Sequence, residues 1–165
     1  MKLFLHQLAF DGELLARGFW LYVWEITTKD GAKVHYVGRT GDSSSLNAQS
    51  PFARLSQHLG RNEKANALRR NLELHKVAAE ECRAFRLFAC GPILPEIQSE
   101  VQHRRSRDVV AALEKALADA MQAAEYVMLN EVTCRKPLDP ELWRAVVAAF
   151  GEHFPKLQHR AFREK

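Results

Sequence analysis

The sequence predicts an α+β chain: a three-stranded antiparallel sheet flanked by helices, with an extra C-terminal helix. Three observations carry this. Two runs rich in aromatic and β-branched residues, 19–28 (FWLYVWEITT) and 33–39 (KVHYVGR), flank a Lys29-Asp30-Gly31 turn and read as a hairpin. A third such run stands at 84–90 (AFRLFAC). Apolar residues then recur at helical spacing through Val109, Leu113, Leu117, Ala120, Ala124 and Met128. A hairpin sheet with helices on its faces is an α+β layout.

Each element has a local reason. The alternation in 19–28 is imperfect, as expected of a strand buried on both faces. Residues 40–50 form a polar Gly/Ser/Asn loop. Ser50-Pro51 marks a helix start, because Ser caps free backbone N–H groups and Pro suits the first turn. That helix is expected over 51–59, ended by Gly60. A second, over 62–79, carries Lys64, Arg69, Arg70 and Lys76. Gly91-Pro92 and Pro95 are expected to break the third strand. Residues 98–107 read as a polar loop or a helix turn. The longest helix is expected over 108–132, with Ser106 as cap and Asp108 in its first turn. Pro137 and Pro140 interrupt the chain, and a last helix over 141–153 leads into a basic tail. Residues 1–139 read as one domain, with 140–165 part of the same unit and open to dimerisation, core cover or nucleic-acid contact.

Composition bounds the function. The chain has 165 residues, 47% hydrophobic and 27% charged, enough to bury a core without staples. The net charge is +4. Residues 1–50 are balanced, and 108–165 carry eight Lys/Arg against nine Asp/Glu. Residues 51–107 carry eleven Lys/Arg against six Asp/Glu, so the positive excess sits mid-chain. That suits a polyanion, though a solvated helix face explains it equally. Three cysteines without a CxxC pair argue for a reducing compartment and against a zinc cluster or disulfide framework. The first ten residues lack the apolar run of a signal peptide, and no stretch is long enough to span a membrane. The expected location is cytoplasmic. No Gly-rich loop with Lys-Ser/Thr appears, which argues against an NTPase. The histidines other than His58 (His6, His35, His75, His103, His153, His159) show no ligand spacing and read as structural or surface.

The chemistry sits in an ordered set. Trp20-Leu21-Tyr22 lies on the first strand. Tyr36-Val37-Gly38 lies on the second, followed by Arg39. Arg54 and His58 share one helix face at i and i+4. Glu125 stands in the longest helix, and Glu114, eleven residues earlier, lies on nearly the same face. This set resembles the GIY-YIG nuclease superfamily, over roughly residues 17–139. The first tripeptide keeps only its Tyr. The resemblance implies a metal-dependent endonuclease, a phosphodiester hydrolase acting on DNA, with RNA and a homodimer left open. It implies Tyr22, Tyr36, Arg54 and His58 as catalytic, and it favours Glu125 over Glu114 as ligand to Mg²⁺ or Mn²⁺. Gly38, Arg39 and Asn130 are the expected substrate contacts, Asp139 being the alternative to Asn130 for a late Asn role.

The residue types fit that chemistry. Backbone hydrolysis needs an activated water, neutralised phosphate charge and help for the leaving oxygen. Two tyrosines on neighbouring strands can converge, and a nearby cation favours their phenolate form. Arg offers a planar fork for phosphate oxygens. A lone carboxylate suits a hard cation. Alternative readings are a catalytically silent nucleic-acid-binding module and a protein–protein module.

Overall fold

Gly18–Thr27 forms the central strand β1, buried along all but its last residue. Lys33–Arg39 forms β2 and Ala84–Pro95 forms β3. A computed structural model of the chain describes residues 3–43, 46–62 and 66–157. The sheet order is β2-β1-β3, with both pairings antiparallel. The β1–β2 turn closes through Thr28 and Ala32, whose backbones pair at 2.9 Å. Gly31 takes φ +93° there, which a side chain would resist.

The helices are α1 (Pro51–Leu59), α2 (Ala67–Leu74), α3 (Glu100–Ala123) and α4 (Pro140–Gly151). Ser50 caps α1, its hydroxyl accepting from the Ala53 N–H at 3.2 Å. Asp139 caps α4 by accepting from Glu141 and Leu142. Three expectations need correction. The described part of the second helix is shorter than 62–79. The third strand does not break at Gly91-Pro92 but continues to Pro95. It is an edge strand, where a missing N–H is tolerated, and a register shift in β1 between Phe19 and Leu21 absorbs the irregularity. The longest helix starts eight residues earlier than 108 and ends well before 132. Its first turns bury His103 and Ser106, polar residues that continue the apolar stripe of Val110, Leu113, Leu117 and Met121. Ser106 is therefore inside the helix, not its cap. Lys64, His159 and the tail from 158 lie outside the described residues.

The sheet is covered on both faces, and strand periodicity decides which residue goes where. Phe19, Leu21, Val23 and Val37 pack with Val110, Leu113, Leu117 and Met121 of α3 and Val146 and Phe150 of α4. Tyr22, Trp24, Ile26 and Tyr36 face the opposite way, with Leu68 and Leu72 of α2 and Leu55 and Leu59 of α1. The outer edge of β2 is closed by the chain after α3. His35 N–H donates to Val127 O at 2.8 Å and Leu129 N–H to His35 O at 2.7 Å. No described helix is long and apolar enough to cross a membrane.

Candidate active site

The strand register brings the tyrosines together. Tyr22 faces Gly38 across the hairpin and Trp24 faces Tyr36, so Tyr22 and Tyr36 are diagonal neighbours on one face. Gly38 is needed there because a Cβ would fall 2.4 Å from the Tyr22 ring. The Tyr22 ring packs directly over Gly38.

Helix α1 delivers Arg54 and His58 onto the two rings. The Tyr22 hydroxyl lies 2.6 Å from His58 Nε2, and the His58 ring centroid is 5.5 Å from that of Tyr22 and 5.4 Å from that of Tyr36. The Tyr22 hydroxyl also donates to the Arg39 carbonyl at 3.2 Å. That places the proton of the His58 ring on Nε2, since both bonds can then form at once. His58 is almost wholly buried, and burial followed by the Arg54 charge lowers its pKa to about 4. It is a neutral imidazole at physiological pH.

Burial also governs the phenols. It pushes Tyr36 up to about 12, with the Glu114 charge adding to the effect. It drives Tyr22 well above the ordinary phenol range, against the pull of Arg54. Arg54 is raised as well: burial opposes its charge, but Tyr22 and Asp42 outweigh the loss of water. Arg54 Nη2 meets Asp42 Oδ2 at 2.9 Å and Nη1 meets Gln57 Oε1 at 3.2 Å.

The buried carboxylate in this corner is Glu114. It pairs with Arg39 Nε at 2.8 Å, both side chains being largely buried. Burial raises its pKa, and Arg39 only partly opposes this. Glu125 is elsewhere. Helix α3 ends at Ala123, roughly 13 Å along its axis from Glu114, and Glu125 sits exposed in the following turn at φ +63°. Of the two glutamates, the fold brings Glu114 beside the tyrosines and leaves Glu125 apart from them. Arg39, expected to meet substrate, pairs through Nε with Glu114, while its Nη1 is buried with no hydrogen-bond partner among the described residues, as is Arg54 Nε. Asn130 is tied to β2: its Oδ1 accepts from Val37 N–H at 3.1 Å and its Nδ2 donates to Val37 O at 2.8 Å. Asp139, the alternative, is the α4 cap. Sequence reading missed Asp42, for which a polar loop residue after a strand gives no signal.

Among the described residues no three His, Cys, Asp or Glu side chains gather as a metal cage. One buried, incompletely compensated carboxylate still fits a hard cation such as Mg²⁺, which takes one or two carboxylates and completes its shell with water and phosphate. It does not fit a structural zinc site.

The buried histidine makes stability depend on pH. His58 has a folded pKa below its unfolded value of about 6.5, so its contribution is complete above that pH and is lost as pH falls towards 4. The loss amounts to roughly 3 kcal/mol. Glu114, raised in the fold, works with the opposite sign, so the difference between variants is the useful quantity. Urea unfolding of wild type and His58→Gln between pH 7 and 4 is expected to show a steeper fall for wild type. Parallel curves would refute a neutral His58.

Comparisons with protein-family models, curated proteins and solved structures find no match to this chain.

Proposed function

We propose that this chain is a metal-dependent endonuclease of the GIY-YIG type, hydrolysing DNA phosphodiester bonds. One observation supports this most: Tyr22, Tyr36, Arg54, His58, Arg39 and Glu114 come from four separate elements to one corner of the sheet. A fold gains little stability from so many buried polar groups, and several stay unsatisfied. Such a concentration of perturbed titratable groups is typical of a working site.

The roles follow from the chemistry. Among the described residues Arg54 and Arg39 each keep a buried N–H without a partner, and a phosphate oxygen would satisfy either one. The guanidinium charges would then stabilise the negative charge that grows on the phosphoryl oxygens. One tyrosine of the Tyr22–Tyr36 pair, in its phenolate form, takes the proton from the attacking water and becomes the neutral phenol. Neutral His58 holds the Tyr22 hydroxyl in place. Glu114, not Glu125, would hold Mg²⁺ or Mn²⁺. When bound, the ion would supply charge neutralisation at the leaving oxygen.

The test is incubation of supercoiled plasmid with the protein and Mg²⁺ or Mn²⁺. Nicking that stops with EDTA is expected. Absence of cleavage on supercoiled, linear and branched DNA and on RNA would overturn the proposal. If DNA binding that weakens steeply with salt persisted without cleavage, the chain would be a binding module instead.

A further inference from the structure

Asp42 belongs to none of the motifs, yet the fold fixes it closely. It follows the end of β2, and its neighbours on both sides are tied down. The Thr40 hydroxyl donates to Gly18 O at 2.6 Å and accepts from the Trp20 N–H at 2.8 Å. Gly41 takes φ +72° and leaves no room for a Cβ, which would meet the Phe19 ring at 2.4 Å. The Ser43 carbonyl lies 3.3 Å from His103 Nε2, and that histidine is buried against Phe19 at 5.1 Å between ring centroids. Asp42 itself is exposed, with 42% of its side chain accessible, yet its backbone is held on both sides. Among the described residues its ion pair is with Arg54 Nη2.

Arg54 is thereby gripped at two of its three nitrogens, by Asp42 at Nη2 and by Gln57 at Nη1. The third, Nε, is buried with no hydrogen-bond partner among the described residues. A free arginine side chain has many rotamers, and each costs time and entropy to align. A guanidinium held at two nitrogens presents the third N–H in one direction.

We propose that Asp42 is a positioning residue for Arg54, fixing its guanidinium so that the unpaired Nε edge is presented to a phosphate oxygen. The inference rests on the nuclease reading for the identity of the anion, but the fixing of Arg54 is a property of the free protein.

Two measurements test it. The first is ¹⁵N NMR of the arginine Nε–H groups, with the Arg54 signal identified by its loss in Arg54→Lys. Wild type is expected to give a shifted, slowly exchanging resonance. Asp42→Asn is expected to move it to the averaged arginine position with fast exchange. An unchanged resonance in Asp42→Asn overturns the proposal, whether or not the protein cuts DNA. The second measurement applies once cleavage is established. Asp42→Asn is expected to lower kcat about a hundredfold, as small misplacements of a reacting group do, with KM little changed. On an Arg54→Ala background the same substitution is expected to add no further loss. Additive losses, or recovery of Asp42→Asn by raised Mg²⁺, would overturn positioning; the latter would make Asp42 a metal ligand. Failure of the nuclease reading alone would leave the NMR result standing as the decision.

Discussion

Glu114→Gln is expected to lower DNA cleavage about a thousandfold while the fold and DNA binding persist. Gln keeps the shape and removes only the charge. The argument is electrostatic. Glu114 is nearly buried, and its carboxyl is raised despite a 2.8 Å contact with Arg39. One guanidinium does not offset its desolvation, so a second positive charge is welcome beside it. Its charge also bears on both phenols, which places it within the reaction corner. Glu125→Gln is the control, since Glu125 is exposed in a turn beyond the helix. The measurement is initial nicking rate against Mg²⁺ concentration for wild type and both variants, with circular dichroism to check folding. Equal losses in the two variants, or a fully active Glu114→Gln, would remove Glu114 from the role proposed for it.

Removing either phenol is expected to cost about a hundredfold to ten-thousandfold in rate, the usual range for a positioned acid or base. Both tyrosines are neutral near pH 7, because burial holds Tyr36 at about 12 and Tyr22 higher still. A rate that depends on the phenolate must therefore climb as pH rises, by about tenfold per pH unit for a single proton. The climb should extend across pH 7 to 9 in kcat/KM. Tyr22→Phe and Tyr36→Phe separate the roles. The tyrosine that carries the proton is the one whose loss flattens the profile, whereas loss of the other lowers the rate and keeps the slope. A flat wild-type profile would count against any tyrosine base.

Much of the fold was legible because local rules and tertiary packing agree there. The hairpin and α1 emerge with nearly the bounds that aromatic runs, a Gly turn and a Ser-Pro cap suggest. Disagreement arises where polar residues are buried. His103 and Ser106 continue the inner stripe of α3 but carry no apolar signal, so the helix start is hidden and its end is misjudged with it. That error also made Glu125 look helical. Tyr22, Tyr36, Arg54 and His58 were legible as a set because their spacing and their elements are local properties. The choice of carboxylate was not. Glu114 reaches the corner through the register of α3 against β2, and no periodicity encodes that distance. Arg39 and Asn130 read as substrate contacts because their types suit phosphate, yet their partners, Glu114 and the Val37 backbone, are far away in sequence.

The chain after α3 that lies along β2 has one more consequence, for self-association. A bare strand edge is a template onto which another chain can add. On the β2 side the backbone at His35 and Val37 is already engaged by Val127, Leu129 and Asn130, so a strand from a neighbour would have to displace the protein's own segment. The opposite edge, β3, has no further strand beside it among the described residues. Its far end carries Pro92 and Pro95, which offer no N–H to an incoming strand. Intermolecular strand addition is thus directed to the Ala84-to-Gly91 half of β3, at the edge opposite β2 and Tyr36.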